Sequence, residues 1–348
     1  MHPRLTSIVV LLTGVVATTA IPAQPVRWPK GTVVVSNMND ATATVIDAET
    51  GMVRATLPTG NGPHEVAASH DGRWAVVTNY GTRTAAGNSM TLIDLATATV
   101  VRTIDLGEIT RPHGVKFLPG DSMLVVTSER TQAVVLVSLS SDRIVRTLPT
   151  RGRTSHMIAI TASGDRYFTA NISDGSVSLI DPTGRDSTRV VPVSKLTEGI
   201  GAAPDGHRVW VGSNRDSIVV VVDPDGTTPP DTLRGFGLPY RIAVSPNGQL
   251  AVITDPARAE VRIVDAATHS TRATVVVPSD SLLATAEVPG SPSPEGVAIS
   301  DDSRWAFVTL QGRNRVIWID LERGLIRRSA PTGTWSDGVA FARAIARK

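Results

Sequence analysis

The sequence predicts an all-β chain, a seven-bladed β-propeller whose blades each have four antiparallel strands. Three observations predict it. A short segment recurs seven times at a spacing close to 42 residues, every unit repeats one order of strand and turn signals, and the two ends of the chain carry complementary half-blades.

The recurring segments are Pro63-His64-Glu65-Val66, Pro112-His113-Gly114-Val115, Ser155-His156-Met157-Ile158, Thr197-Glu198-Gly199-Ile200, Pro239-Tyr240-Arg241-Ile242, Pro294-Glu295-Gly296-Val297 and Ser336-Asp337-Gly338-Val339. Their second residues lie 49, 43, 42, 42, 55 and 42 positions apart, the length of a propeller blade with two insertions. After each segment comes a short apolar strand, such as Val66-Ala67-Ala68. A turn that tolerates positive φ follows, at Asp71-Gly72, Gly120-Asp121, Gly164-Asp165, Asp205-Gly206 and Asn247-Gly248. The second strand is a near-continuous apolar run, as in Trp74-Ala75-Val76-Val77, and reads as buried on both faces. The third commonly ends in an apolar residue and Asp, as at Ile46-Asp47, Ile93-Asp94, Ile180-Asp181, Val222-Asp223, Val264-Asp265 and Ile319-Asp320, where the Asp reads as a turn cap. The fourth is the most polar and belongs on the outside.

Closure is legible as well. Residues 32–36 form a second strand without a first, and residues 338–342 form a first strand without a second. Pairing them completes the seventh blade and removes an open edge. The propeller therefore spans residues 31–348, after a short lead at 24–30. Residues 1–23 read as a signal peptide: Arg4 opens it, residues 5–20 are mostly apolar, and small residues permit cleavage after Ala20 or Ala23. That places the mature chain in the periplasm or outside the cell, as a monomer with no transmembrane span once the signal is removed.

Composition excludes several function classes. There is no Cys, so neither disulfides nor thiolate chemistry contribute. A net charge of +2 with no cluster of Lys or Arg disfavours nucleic acid as a partner. No phosphate loop, zincin helix motif or nucleophile elbow occurs.

Val76-Val77-Thr78-Asn79-Tyr80-Gly81, Val34-Val35-Ser36-Asn37 and Trp210-Val211-Gly212-Ser213-Asn214 resemble the YVTN motif. Combined with Ile-Asp strand ends and Pro-His-Gly-Val, they make the chain from about residue 31 onward similar to YVTN-repeat, or surface-layer-type, propellers. Ser128, Asp255 and Leu310 depart from the motif Asn. The resemblance implies the fold. Propellers of this general shape include envelope-associated binding proteins, lactonase-like propellers and metal- or cofactor-holding ones.

In a propeller the first strand of each blade lines the central channel, so the residue just before it stands at the channel mouth. The repeat thus predicts one ring: His64, His113, His156, Glu198, Tyr240, Glu295 and Asp337. Three of the chain's seven His fall in these seven positions, on consecutive blades. Imidazoles from neighbouring blades can converge on Zn, Cu, Fe or Mn, with Glu198 as a fourth ligand, whereas opposite blades are expected to stand too far apart. Glu198, Glu295 and Asp337 are the candidates for proton transfer. Tyr240, Glu295, Asp337, Asn79, Asn171 and Asn214 are the candidates for ligand contact, although turn formation also accounts for the Asn residues. Two long loops, at 79–89 and 278–294, project from the same face. His70, His207 and His269 read as surface residues, and Trp74 and Trp305 as packing between blades. The first expectation is a binding propeller for a metal, a small molecule or an envelope protein. The alternatives are a metal-dependent hydrolase, lyase or lactonase using the same ring, and a structural scaffold.

Overall fold

The computed structural model describes residues 26–278 and 291–345. The segment at 1–23 that reads as a signal peptide, and most of the second long loop, lie outside the described residues. Seven four-stranded antiparallel sheets are arranged around a channel, and a single 3-10 turn at Gln311–Arg313 is the one helical element among the described residues. Blade 1 is assembled from both ends of the chain: Ser336–Arg343 pairs with Gly31–Asn37, which pairs with Thr42–Asp47 and then Val53–Pro58. The closing register sets Val34 opposite Ala340 and Val35 opposite Val339. Blades 2 to 7 follow in chain order, beginning at Pro63–Ala68, Pro112–Phe117, Ser155–Ile160, Thr197–Ala202, Ile242–Val244 and Pro294–Ile299.

Burial follows position within the blade. Second strands are covered by the blades on either side, so Val33, Val34 and Val35 all reach 0% exposure; the fourth strand Val53–Pro58 alternates between exposed and half-buried. The core is a ring of interblade layers. Val34, Val45, Val66, Val77 and Ile93 form one between blades 1 and 2, and Leu124, Val126, Val76 and Leu92 contribute to the next. Each such side chain contributes about 1.5–3 kcal/mol on burial. Trp305 packs as expected between blades, stacked on Trp28 at 5.2 Å, while Trp74 is half-buried with Arg73 over its ring. The Asp caps are also as expected: Asp47 accepts from Thr50 N at 2.7 Å and Asp94 from Ala96 N at 2.9 Å.

Two devices set the inner strands. The third residue of the recurring segment is often Gly because blades nearly touch there; a Cβ on Gly296 would lie 2.2 Å from the carbonyl oxygen of Asp337. The second device is a bridging hydroxyl at the Thr or Ser of the YVTN-like strand. Thr78 accepts from the Glu65 N–H at 3.1 Å in its own blade and donates to the His113 carbonyl of the next at 3.0 Å. Ser36, Thr127, Thr254 and Thr309 donate in the same way to the carbonyls of His64, His156, Glu295 and Asp337. Ala170 and Gly212 occupy this position in the remaining two blades.

Candidate metal centre

Six of the seven ring residues sit in β-bulges, Asp337 among them, while Tyr240 precedes a first strand that begins at Ile242 and pairs without one. Pairing between the first and second strands breaks between Pro63 and Val66, Pro112 and Val115, Ser155 and Ile158, Thr197 and Ile200, and Pro294 and Val297. A bulge re-aims the unpaired side chain, and the bridging hydroxyl anchors its carbonyl in five blades. The second residue of each segment is thereby turned into the channel mouth, as the repeat predicts.

The three imidazoles meet. His64 lies T-shaped against His113 with ring centroids 4.9 Å apart, and His113 lies 3.7 Å from His156. Tyr80 stacks on His64 at 4.4 Å and hydrogen-bonds through its hydroxyl to Glu129. Glu129 also bonds His156 Nδ1. The opposite nitrogen, His156 Nε2, is 3.3 Å from Glu198 Oε1, and Glu198 in turn accepts from Arg241 Nη1 at 3.2 Å and from Asn214. Arg241 crosses the channel to Glu65 at 3.0 Å. Glu129, His156, Glu198, Arg241 and Glu65 thus form one chain of alternating acid and base. On the other side Asp337 Oδ2 stands 3.7 Å from His64 Nδ1, and Glu295 accepts from Ser293 and Gln311, each at 2.9 Å.

Protonation differs sharply along this chain. Burial alone would lower the pKa of His156, but its bonds to Glu129 and Glu198 outweigh that and raise it to about 9. Burial, then neighbouring His156 and His64, hold His113 well below the ordinary histidine value. Burial lowers His64 to about 4 against the pull of Glu65. For Glu198, burial pushes upward but the contact with His156, reinforced by Arg241, brings it down to about 2. Glu129 is lowered on the same balance. Burial pushes Glu295 and Asp337 the other way; repulsion from Asp337 helps take Glu295 to about 8, and the Glu198 charge adds to the rise at Asp337.

Ligand-capable atoms of His113, Glu129 and His156 all lie within 4.8 Å of one another. The buried Nδ1 of His113 has no hydrogen-bond partner, and a buried nitrogen left in that state is costly. Two imidazoles and a carboxylate are a donor set suited to a divalent transition metal. Of the expected ligands, His113 and His156 belong to this group; His64 flanks it through the His113 ring, and Glu198 flanks it through His156. Tyr240 is at the mouth with the Arg241 guanidinium 4.2 Å over its ring. Asn79 and Asn171 are buried and spent on blade turns: Asn79 bonds Gly60, Ser89 and Thr91, and Asn171 bonds Ser155, Ser176 and Ser178. The ligand-capable group comes from two neighbouring blades, and the long Arg241 side chain is what links opposite sides of the channel.

Glu129 and Tyr80 escape the sequence reading. The register places Ser128 opposite Pro112 and Asn79 opposite Pro63, so Glu129 and Tyr80 are equivalent and immediately follow the motif position. Ser213 stands opposite Thr197, which puts Asn214 in the same equivalent place as Glu129 rather than beside Asn79. Tyr80, Glu129, Asn214 and Gln311 form a second tier above the ring, each touching a ring residue. The available signal was a polar or aromatic residue just after the strand.

No protein-family model and no curated protein matches the sequence. Among solved structures, hydrazine synthase of Kuenenia stuttgartiensis is similar at 19% identity and a TM-score of 0.69, covering 88% of this chain and 99% of that chain. A functionally unknown protein of Desulfotomaculum acetoxidans is similar at 14% identity and a TM-score of 0.71, covering 90% and 99%. The chain is a seven-bladed β-propeller. At these identities the likeness establishes the fold alone. No helix among the described residues of the propeller is long and apolar enough to cross a membrane.

Proposed function

We propose that this propeller, of the YVTN type and exported to the cell envelope as a monomer, binds a divalent transition metal at its channel mouth through His113, Glu129 and His156. The observation that carries the reading is the convergence of the three ligand atoms within 4.8 Å. Zn, Cu, Fe and Mn are the metals this donor set suits, and the rest of the ring, with Tyr240, Glu295 and Asp337, would contact a small ligand or an envelope partner. His156 must release its proton to solvent before it can ligate, so loading competes with protonation and affinity rises with pH. His113, already neutral, needs no such step.

Elemental analysis of purified protein after exposure to Zn, Cu, Mn and Fe tests this. Wild type is expected to retain one metal per chain; His113→Ala and Glu129→Gln are expected to lose it while keeping the β circular-dichroism spectrum. A wild type that retains none overturns the reading.

A second reading, metal-dependent hydrolysis including lactone hydrolysis, is favoured by one specific observation. Glu295 keeps its proton near neutral pH because burial and Asp337 raise its pKa to about 8, which suits a general acid. Under this reading the bound metal would supply an activated water. Glu295→Gln and Glu198→Gln are then expected to abolish turnover on a panel of lactones and esters without loss of metal. A metal-loaded wild type inactive on the whole panel removes this reading and leaves a binding propeller.

A further inference from the structure

Below the mouth, the Arg241–Glu65 pair caps a cavity of about 350 Å³ that runs down the channel to the opposite face, where His70 and Pro246 border it. Its wall is made by the seven inner strands, and one register position is informative. Ala67, Ala159, Gly201, Ala243, Ala298 and Ala340 occupy six blades, each opposite an equivalent residue of its second strand. The seventh is Lys116, opposite Val125. Six side chains that stop at or before Cβ leave the lumen open, and one long cation extends into it. Phe117, Ile160, Val244, Ile299 and Phe341 form the next level down.

Lys116 has neither a hydrogen bond nor an ion pair within 4.0 Å among the described residues. It retains solvent contact through the lumen, yet enclosure by the channel wall lowers its pKa from the ordinary lysine value, against the attraction of Glu65. Glu65 bonds Arg241 and attracts Lys116 only at longer range, so Lys116 is the one cation among the described residues of the lumen wall with no hydrogen-bonded partner, above an apolar sleeve.

We propose that this lower channel is a binding site for a single aliphatic carboxylate, with its head group on Lys116 Nζ and its chain against the Phe117 and Ile160 level. The volume is at the small end of ligand pockets, ~300–1,000 Å³, which fits a medium-length chain. Charge selects the class: an alkylammonium ion would meet Lys116 as a like charge, whereas a carboxylate gains a charge-assisted hydrogen bond in surroundings that strengthen it. The site is separate from the mouth and does not depend on metal loading.

Isothermal titration calorimetry of the full chain with octanoate and octylamine at pH 7 tests the proposal. Octanoate is expected to bind one per chain and octylamine not to bind, with equal octanoate affinity in the presence and absence of Zn. Lys116→Met, close in volume, is expected to weaken octanoate by about 10–100-fold, the usual effect of losing a charged hydrogen bond; Lys116→Arg should retain it. Absence of octanoate binding, equal binding of octylamine, or competition by Zn overturns the proposal in wild type alone. An unchanged affinity in folded Lys116→Met also overturns it.

Discussion

Replacing Arg241 with Met tests whether the charge chain spanning the channel is structural. Arg241 is 3% exposed, and its guanidinium makes three contacts, 3.1 and 3.0 Å to Glu65 and 3.2 Å to Glu198. At an effective dielectric near ~20 a contact of this length is worth about 5 kcal/mol of attraction, most of it offset by the cost of taking both charges out of water. The intact pair therefore contributes little net stability. Removing one partner is different, because Glu65 then loses every side-chain partner that the structure gives it, while Glu198 keeps His156 and Asn214. The expected loss is about 3–5 kcal/mol, or roughly 6–15 °C in Tm for a chain of this size. Urea and thermal unfolding followed by circular dichroism measure it. Glu65→Gln in the Arg241→Met background removes the stranded charge and should recover at least about 1 kcal/mol. A single variant that loses less than about 1 kcal/mol, or a double variant no better than the single, would refute the reasoning.

Three further outcomes follow from the same geometry. His156 has a folded pKa of about 9, raised above the ordinary histidine value of 6.5, so its stabilising contribution is full below pH 6.5 and is lost as pH rises through 9; the stability difference between wild type and His156→Gln should shrink by about 3 kcal/mol over that window in unfolding titrations. Thr127→Val strands the His156 carbonyl and should cost about 1–3 kcal/mol and weaken metal retention, whereas Thr254→Val should cost as much and leave metal retention intact. Deleting residues 336–348 leaves the Gly31–Asn37 strand without its partner and uncovers Val33 and Val35, so the truncated chain should elute as aggregate in size-exclusion chromatography where the full chain does not.

The architecture was legible because it depends on a pattern stated seven times. Blade number, strand order, Asp caps and the closing pair all follow from spacing and from which strand is apolar throughout. The site was legible only to its first tier. His64, His113 and His156 occupy a repeat position, and the bulge that aims them is common to the blades. Glu129 and Tyr80 come from the next position of a different strand, whose placement over the ring depends on register across two blades. Arg241 was readable in principle. It stands where Gly114, Gly199, Gly296 and Gly338 keep blades close, so a long cation there has to leave the interface for the channel. Lys116, alone among small residues at its level, carries the same kind of signal.

These exceptions share a physical logic. The blade backbones are fixed by hydrogen bonds that hardly involve the channel side chains: sheet ladders, Asn caps on turns, and Thr hydroxyls bridging a donor in one blade to an acceptor in the next. Channel positions are therefore free to vary without loss of closure, and the repeat fills most of them with small or apolar residues. Where a charged group replaces one of these, the fold supplies no reason for it and desolvation opposes it. Glu65 and Arg241 answer that cost by pairing with each other across the lumen. His156 answers it through Glu129 and Glu198. Lys116 has no such partner within the chain and keeps solvent contact in the lumen, while His113 Nδ1 is buried without a partner, and the two lie on opposite sides of the Arg241–Glu65 bridge. The upper one faces two other ligand-capable groups and calls for a cation; the lower one faces an apolar wall and calls for an anion with an apolar tail.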